Sequence, residues 1–140
     1  MGAPFWISGE VEGDVYDDYS EASNEIETVV KTALSGIDLG ASFKQLSLIP
    51  ILLAGDDPDY GEVRKYHKKD RDFEFRLKIS HAAFKAADAL GQRQLIVENI
   101  LRAVEEMKKM RIKDVDCAKL EQAIREVAAS KGWLPPSLLH

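Results

Sequence analysis

The 140-residue sequence has one cysteine, Cys117, and therefore no internal disulfide. A packed core must hold the chain together, and a lone thiol fits a reducing compartment. Long hydrophobic runs are missing too. The longest, Leu48 to Ala54, is broken by Pro50 and is far too short to cross a bilayer. Met1 to Val15 contains no Lys or Arg and no continuous apolar stretch. That pattern lacks a secretory signal, and the expected address is the cytoplasm.

The signatures of common chemistry are absent as well. There is no P-loop, GxGxxG, GxSxG or HExxH, and Ser8 and Ser80 sit in no nucleophile context. His67, His81 and His140 share no metal-ligand spacing, and no second cysteine supports them. The turn Asp56-Asp57-Pro58-Asp59-Tyr60-Gly61 looks superficially like a calcium loop. Counted from Asp56, however, the third ligand position is Pro58 and the twelfth is His67, so an EF-hand fails. Cys117 lies near a helix start, where a thiol can be activated, but a small residue packed on the core is the simpler reading. The expectation is a protein without catalytic residues, metal or cofactor.

What is present is ordinary globular material: 45% hydrophobic and 31% charged residues, too apolar for disorder. The net charge of −5 hides a partition. Residues 1–62 hold 13 acids against two bases, Lys31 and Lys44, whereas residues 63–140 hold 11 acids against 17 bases. The first part is thus at −11 and the second at +6. Such a separation can steer a charged partner, or be satisfied by packing one half on the other.

Phe5 to Val11 alternates like a strand with one buried face. Gly13-Asp14 opens a helix with Asp14 as N-cap, and Tyr16, Tyr19, Ser23, Ile26, Val30, Ala33 and Leu34 keep a 3.6-residue period up to Gly36 or Gly40. Lys44 to Leu53 reads as a strand bent or split at Pro50. Gly55 to Gly61 is turn chemistry. Glu62–Lys68 and the alternating Phe73, Phe75, Leu77 and Ile79 then form an antiparallel hairpin. After Ser80, an N-cap, His81 to Leu90 is a helix ended by Gly91. A second helix carries Leu95 to Met107, and a last one starts near Asp114 or Asp116 and stops at Gly132, with Trp133 folding back on the core. The predicted fold is α+β: a small, mostly antiparallel sheet in the order β-α-β-β-β-α-α-α, packed against helices, with residues 1–134 as one domain and 135–140 as a short tail.

Two surfaces invite a partner. Arg64-Lys65-Tyr66-His67-Lys68-Lys69-Asp70-Arg71 mixes positive charge with aromatics, as a phosphate-tracking surface would. The pI of about 5.2 and the interspersed Asp70 and Asp72 favour a lysine-protected edge strand instead, and nucleic acid is not the expected partner. The second surface is the acidic stretch Glu10, Glu12, Asp14, Asp17, Asp18, Glu21, Glu25 and Glu27. Acids near a helix N-terminus answer the macrodipole, which accounts for Asp14, Asp17 and Asp18 but not for Glu10 and Glu12. No base precedes Lys31, so a basic partner is the sharper expectation. Glu10, Glu12, Asp14, Asp17, Asp18 and Glu21 are the candidate partner-binding residues. Asp56, Asp57 and Asp59 of the Gly55–Gly61 loop form a second patch.

Phe5-Trp6-Ile7-Ser8-Gly9-Glu10, Glu62-Val63-Arg64-Lys65-Tyr66, Phe73 to Ile79 running into His81-Ala82-Ala83-Phe84, and the closing Lys131-Gly132-Trp133 resemble an α+β family of bacterial immunity proteins. Those proteins are encoded beside polymorphic toxins, including those of contact-dependent growth inhibition. The resemblance implies binding to a cognate toxin domain in the producing cell, blocking its active site or substrate access. Many such toxins are nucleases with basic surfaces, which an acidic inhibitor can occupy. A cytoplasmic adaptor or regulator for a basic protein is the alternative, followed by a small enzyme or a nucleic-acid binder.

Overall fold

The computed structural model describes residues 13–34, 45–53, 60–67, 72–110 and 116–135. Along the chain they form α1 (Gly13–Leu34), β1 (Gln45–Leu53), β2 (Tyr60–His67), β3 (Asp72–Ser80), α2 (His81–Ala86), α3 (Ala89–Lys109) and α4 (Cys117–Lys131). The expected strand Phe5–Val11 lies outside the described residues. Helix dominates what is described, and the sheet departs from the mostly antiparallel one expected from sequence. Its order is β1-β3-β2, with β2 antiparallel to β3 but β1 parallel to it from Gln45↔Asp72 to Leu53↔Ser80. That mixed pairing, with helix predominating among the described residues, overturns the predicted fold class.

The physical reason lies in β1. Its sequence QLSLIPILL is nearly all apolar, the pattern of a parallel strand rather than the alternation of an antiparallel strand with one solvated face. Nor is β1 split at Pro50, which stays in register opposite Leu77. A proline is tolerated there because β1 is an outer strand among the described residues. In the hairpin, a bulge between Val63 and Lys65 leaves Arg64 out of the pairing. Beyond it, Lys65 lies opposite Glu74, His67 opposite Asp72, and Arg76 opposite Glu62. Within the basic run, Lys65 and His67 thus stand opposite acids in the register.

Helix α1 buries Tyr19, Ala22, Ser23, Ile26 and Val30, the repeat of three and four that keeps one stripe inward. The helix already includes Asp14, so that residue sits in the first turn rather than at the cap. Tyr19 is the deepest anchor. Its ring meets Phe84 edge to face with centroids 5.0 Å apart, and its hydroxyl donates to the Leu77 carbonyl at 3.3 Å. One side chain thus ties α1 to both β3 and α2. Helix α1 also packs on β1, α3 packs on β2 and β3, and α4 rests on α1 and α3. Leu77 and Ile79 point into this shared core as their alternation predicts. Lys78 and Ser80, of the opposite parity, are buried too, so the end of β3 is covered on both faces.

Ser80 caps α2 as expected, its hydroxyl accepting from the Ala83 amide at 3.3 Å. The stop at Gly91 is not found. Helix α2 ends at Ala87, and Asp88 begins α3 by accepting from the Gly91 amide at 2.7 Å, which places Gly91 inside α3. A capping carboxylate outweighs the glycine signal here. Gly91 serves for its lack of a side chain, since a Cβ there would come within 3.0 Å of the Ala87 Cβ. Gln92 donates to the Phe84 carbonyl at 3.2 Å and satisfies the free end of α2.

Helix α4 starts at the Asp116 cap, which accepts from the Lys119 amide at 3.1 Å. It stops at Gly132 in the left-handed region, with φ 76°. The Trp133 amide reaches the Ala128 carbonyl at 2.7 Å and the Gly132 amide reaches Ala129 at 3.1 Å, a Schellman closure that seats Trp133 in the core. Replacing Tyr19 with Phe keeps the ring contact and removes one hydrogen bond. The expected loss is about 1 kcal/mol in urea denaturation, against about 3–5 kcal/mol for Tyr19→Ala.

Candidate partner-binding face

The periodicity that turns Tyr19, Ala22, Ile26 and Val30 inward turns Asp17, Asp18, Glu21, Asn24, Glu25 and Thr28 outward, and all six are exposed. Three of the candidate acids, Asp17, Asp18 and Glu21, are therefore brought together on one exposed helix surface. Asp14 lies one turn earlier on the same helix. Glu10, Glu12, Asp56, Asp57 and Asp59 lie outside the described residues. Since α1 begins at Gly13, Asp17 and Asp18 fall just beyond its first turn and Glu21 a turn further. The favourable field of the helix N-terminus fades over that distance, so it does not account for Glu21. Asp17 and Glu21 are four residues apart and Asp18 and Glu21 three, spacings at which like charges oppose helix formation.

Most other acids with a described side chain are engaged. Arg93 grips Glu25, with Nε to Oε1 at 3.0 Å and Nη2 to Oε2 at 2.8 Å. Glu98 pairs with Arg102 at 3.1 Å, Glu106 with Lys109 at 3.2 Å, and Glu105 with Lys108 at 3.2 Å. Lys108 also pairs with Glu121, which Arg125 holds at 2.9 Å, joining α3 to α4. Gln122 donates to Glu126 at 3.0 Å, Glu27 has a partner of its own, and Asp88 and Asp116 serve as caps. Asp17, Asp18 and Glu21 stand apart: among the described residues none of them has a hydrogen bond or ion pair.

The Glu25–Arg93 pair is where the basic half of the sequence meets the acidic half. The Arg93 guanidinium, helped by the charge of Lys131, holds the Glu25 carboxyl below its usual range. The field of Arg93 also extends to Glu21 and Asp18. Arg93 was not singled out by the sequence, where it is one base among 17 in residues 63–140. Only the packing of α1 beside α3 identifies it.

Cys117 is half-buried against the core, and burial pushes its thiol up, away from the reactive thiolate. Among the described residues, no group of His, Cys, Asp and Glu is placed to hold a metal ion. No described helix is long and apolar enough to cross a membrane.

A family model described as Immunity protein 44 matches residues 3–130. Comparison with curated proteins and with solved structures gave no match.

The Glu25–Arg93 pair has a defined pH signature. A carboxyl held low in the folded state stabilises above its unfolded pKa, 4.5, and that stabilisation is lost as the pH falls through the folded value. Glu25 is 42% exposed, so the effect is small, ~0.5 kcal/mol. Glu25→Gln is expected to be less stable than the parent by that amount at ~pH 7 and equal to it once the pH has fallen below the folded value, by urea denaturation at each pH.

Proposed function

Because the chain belongs to the Immunity protein 44 family, we propose that it neutralises a cognate toxin domain in the producing cell by laying the acidic outer face of α1 against the toxin. It works by binding, not by turnover, and covers the toxin's active site or the surface that receives its substrate. The observation that carries the reading is the unpaired state of Asp17, Asp18 and Glu21 beside acids that are paired elsewhere in the described structure. Like charges at these spacings on one helix oppose its formation, and a counter-charge supplied by a partner would offset that cost.

The chemistry of such a face suits a toxin with a basic surface, and a nuclease is the natural case. A groove that accepts phosphates from a nucleic acid accepts carboxylates held on a rigid helix. The acids then contribute chiefly to encounter, by raising the association rate, while buried contacts elsewhere govern release.

Co-expression with the toxin domain encoded beside this chain tests the proposal directly: growth is restored and the two proteins co-purify. Replacing Asp17, Asp18 and Glu21 together with Lys is expected to cut the association rate by roughly tenfold or more at low salt. Dissociation and thermal stability change little, because the three side chains are exposed. Association kinetics identical to the parent would overturn the acidic-face model, whatever the toxin's activity.

A further inference from the structure

We infer that Arg93 sets the strength of the partner-facing acidic patch by withdrawing Glu25 from it and damping its neighbours. This rests on the acidic-face reading and adds to it a residue that lies on a different helix. Glu25 occupies the same exposed surface of α1 as Asp18 and Glu21. Left alone it would extend the patch by one turn. Instead the Arg93 guanidinium holds both of its oxygens, at 2.8 and 3.0 Å.

The pair is built to stay closed. A further Arg93 nitrogen donates to the Ala89 carbonyl at 3.1 Å, which fixes the guanidinium from its own helix. The Arg93 side chain is 18% exposed while Glu25 is 42% exposed, so the base is the more enclosed member of the pair. A two-point Arg–carboxylate pair of this kind is directional and does not slide to a new partner as a lysine would. The partner therefore meets Asp18 and Glu21 within the field of a fixed positive charge, and meets Glu25 already neutralised. Arg93 is a positioning residue for the face: it decides where the negative patch ends.

The consequence is a reciprocal charge effect that a purely structural salt bridge would not give. Arg93→Gln frees Glu25 and removes the damping charge, so a basic probe binds more tightly. Glu25→Gln leaves Arg93 uncompensated beside the patch, so the same probe binds more weakly. The double variant restores the original balance. One unit charge acting through solvent over this range changes affinity by about twofold in each direction.

The experiment uses the full chain and a fluorescein-labelled nona-arginine peptide, read by fluorescence anisotropy at low salt, with thermal melts on every variant. Tighter binding by Arg93→Gln, weaker binding by Glu25→Gln, and near-parental binding by the double variant support the inference. Lys109→Gln, which removes a charge paired with Glu106 at the other end of α3, must leave binding unchanged, and an equal gain there would overturn a local effect. If both single variants weaken binding, or neither changes it, the inference fails. Should Arg93→Gln not fold, Glu25→Gln carries the test by itself, and unaltered affinity overturns it. The Asp17, Asp18 and Glu21 to Lys variant separates the two readings. Loss of peptide binding there with an indifferent Arg93→Gln overturns the role of Arg93 alone. Full binding there overturns the acidic face and this inference with it.

Discussion

The rotation of α1 about its own axis is set by the seat of Tyr19, and the arrangement of the acidic surface follows from it. The aromatic ring on Phe84 and the hydroxyl on the Leu77 carbonyl fix one side chain from two directions. A slip of one residue along the helix would turn every position by about 100° and carry the acids toward the core. Such burial of unpaired carboxylates is prohibitively costly. The core contact and the charged face are thus two sides of one constraint, each excluding the arrangements that the other disfavours.

Much of this was legible in the sequence, and the failures have physical causes. The apolar period of α1, the Ser80 cap and the Gly132 stop are local signals, and local interactions realise them. Gly91 misled because a glycine near a polar stretch commonly ends a helix, whereas the Asp88 carboxylate had already begun the next one. The direction of β1 did leave a trace, since its unbroken apolar run is the pattern of a parallel strand, but the hairpin signal downstream pointed to an antiparallel sheet. Lys78 shows the limit of alternation: its parity says outside, yet it is buried. The acids of α1 were visible as a stretch, but which of them remain unpaired depends on Arg93, 68 residues from Glu25. Sequence periodicity does not reach over such a separation.

For an immunity protein the division of labour is economical in chemical terms. Inhibition by coverage, the mode proposed above, would ask for no reactive side chain, only for a surface that a toxin recognises and a scaffold that keeps it in place. The scaffold role falls to the helices: α4 is clamped to α3 through Lys108, Glu121 and Arg125, and α1 is joined to α3 through Arg93. The individual ion pairs are modest contributors, and burial of Leu120, Ile124 and their neighbours does most of the holding.

The place of β3 between β1 and β2 has a consequence for how the chain is made. The central strand is the last of the described three to be synthesised, so β1 emerges before either of its companions and waits for a neighbour more than twenty residues downstream. Until Leu77 and then Phe84 leave the ribosome, Tyr19 lacks the carbonyl and the ring that it rests on. The acidic helix is therefore complete as sequence long before it is oriented as a surface, and its availability is timed by the middle of the chain.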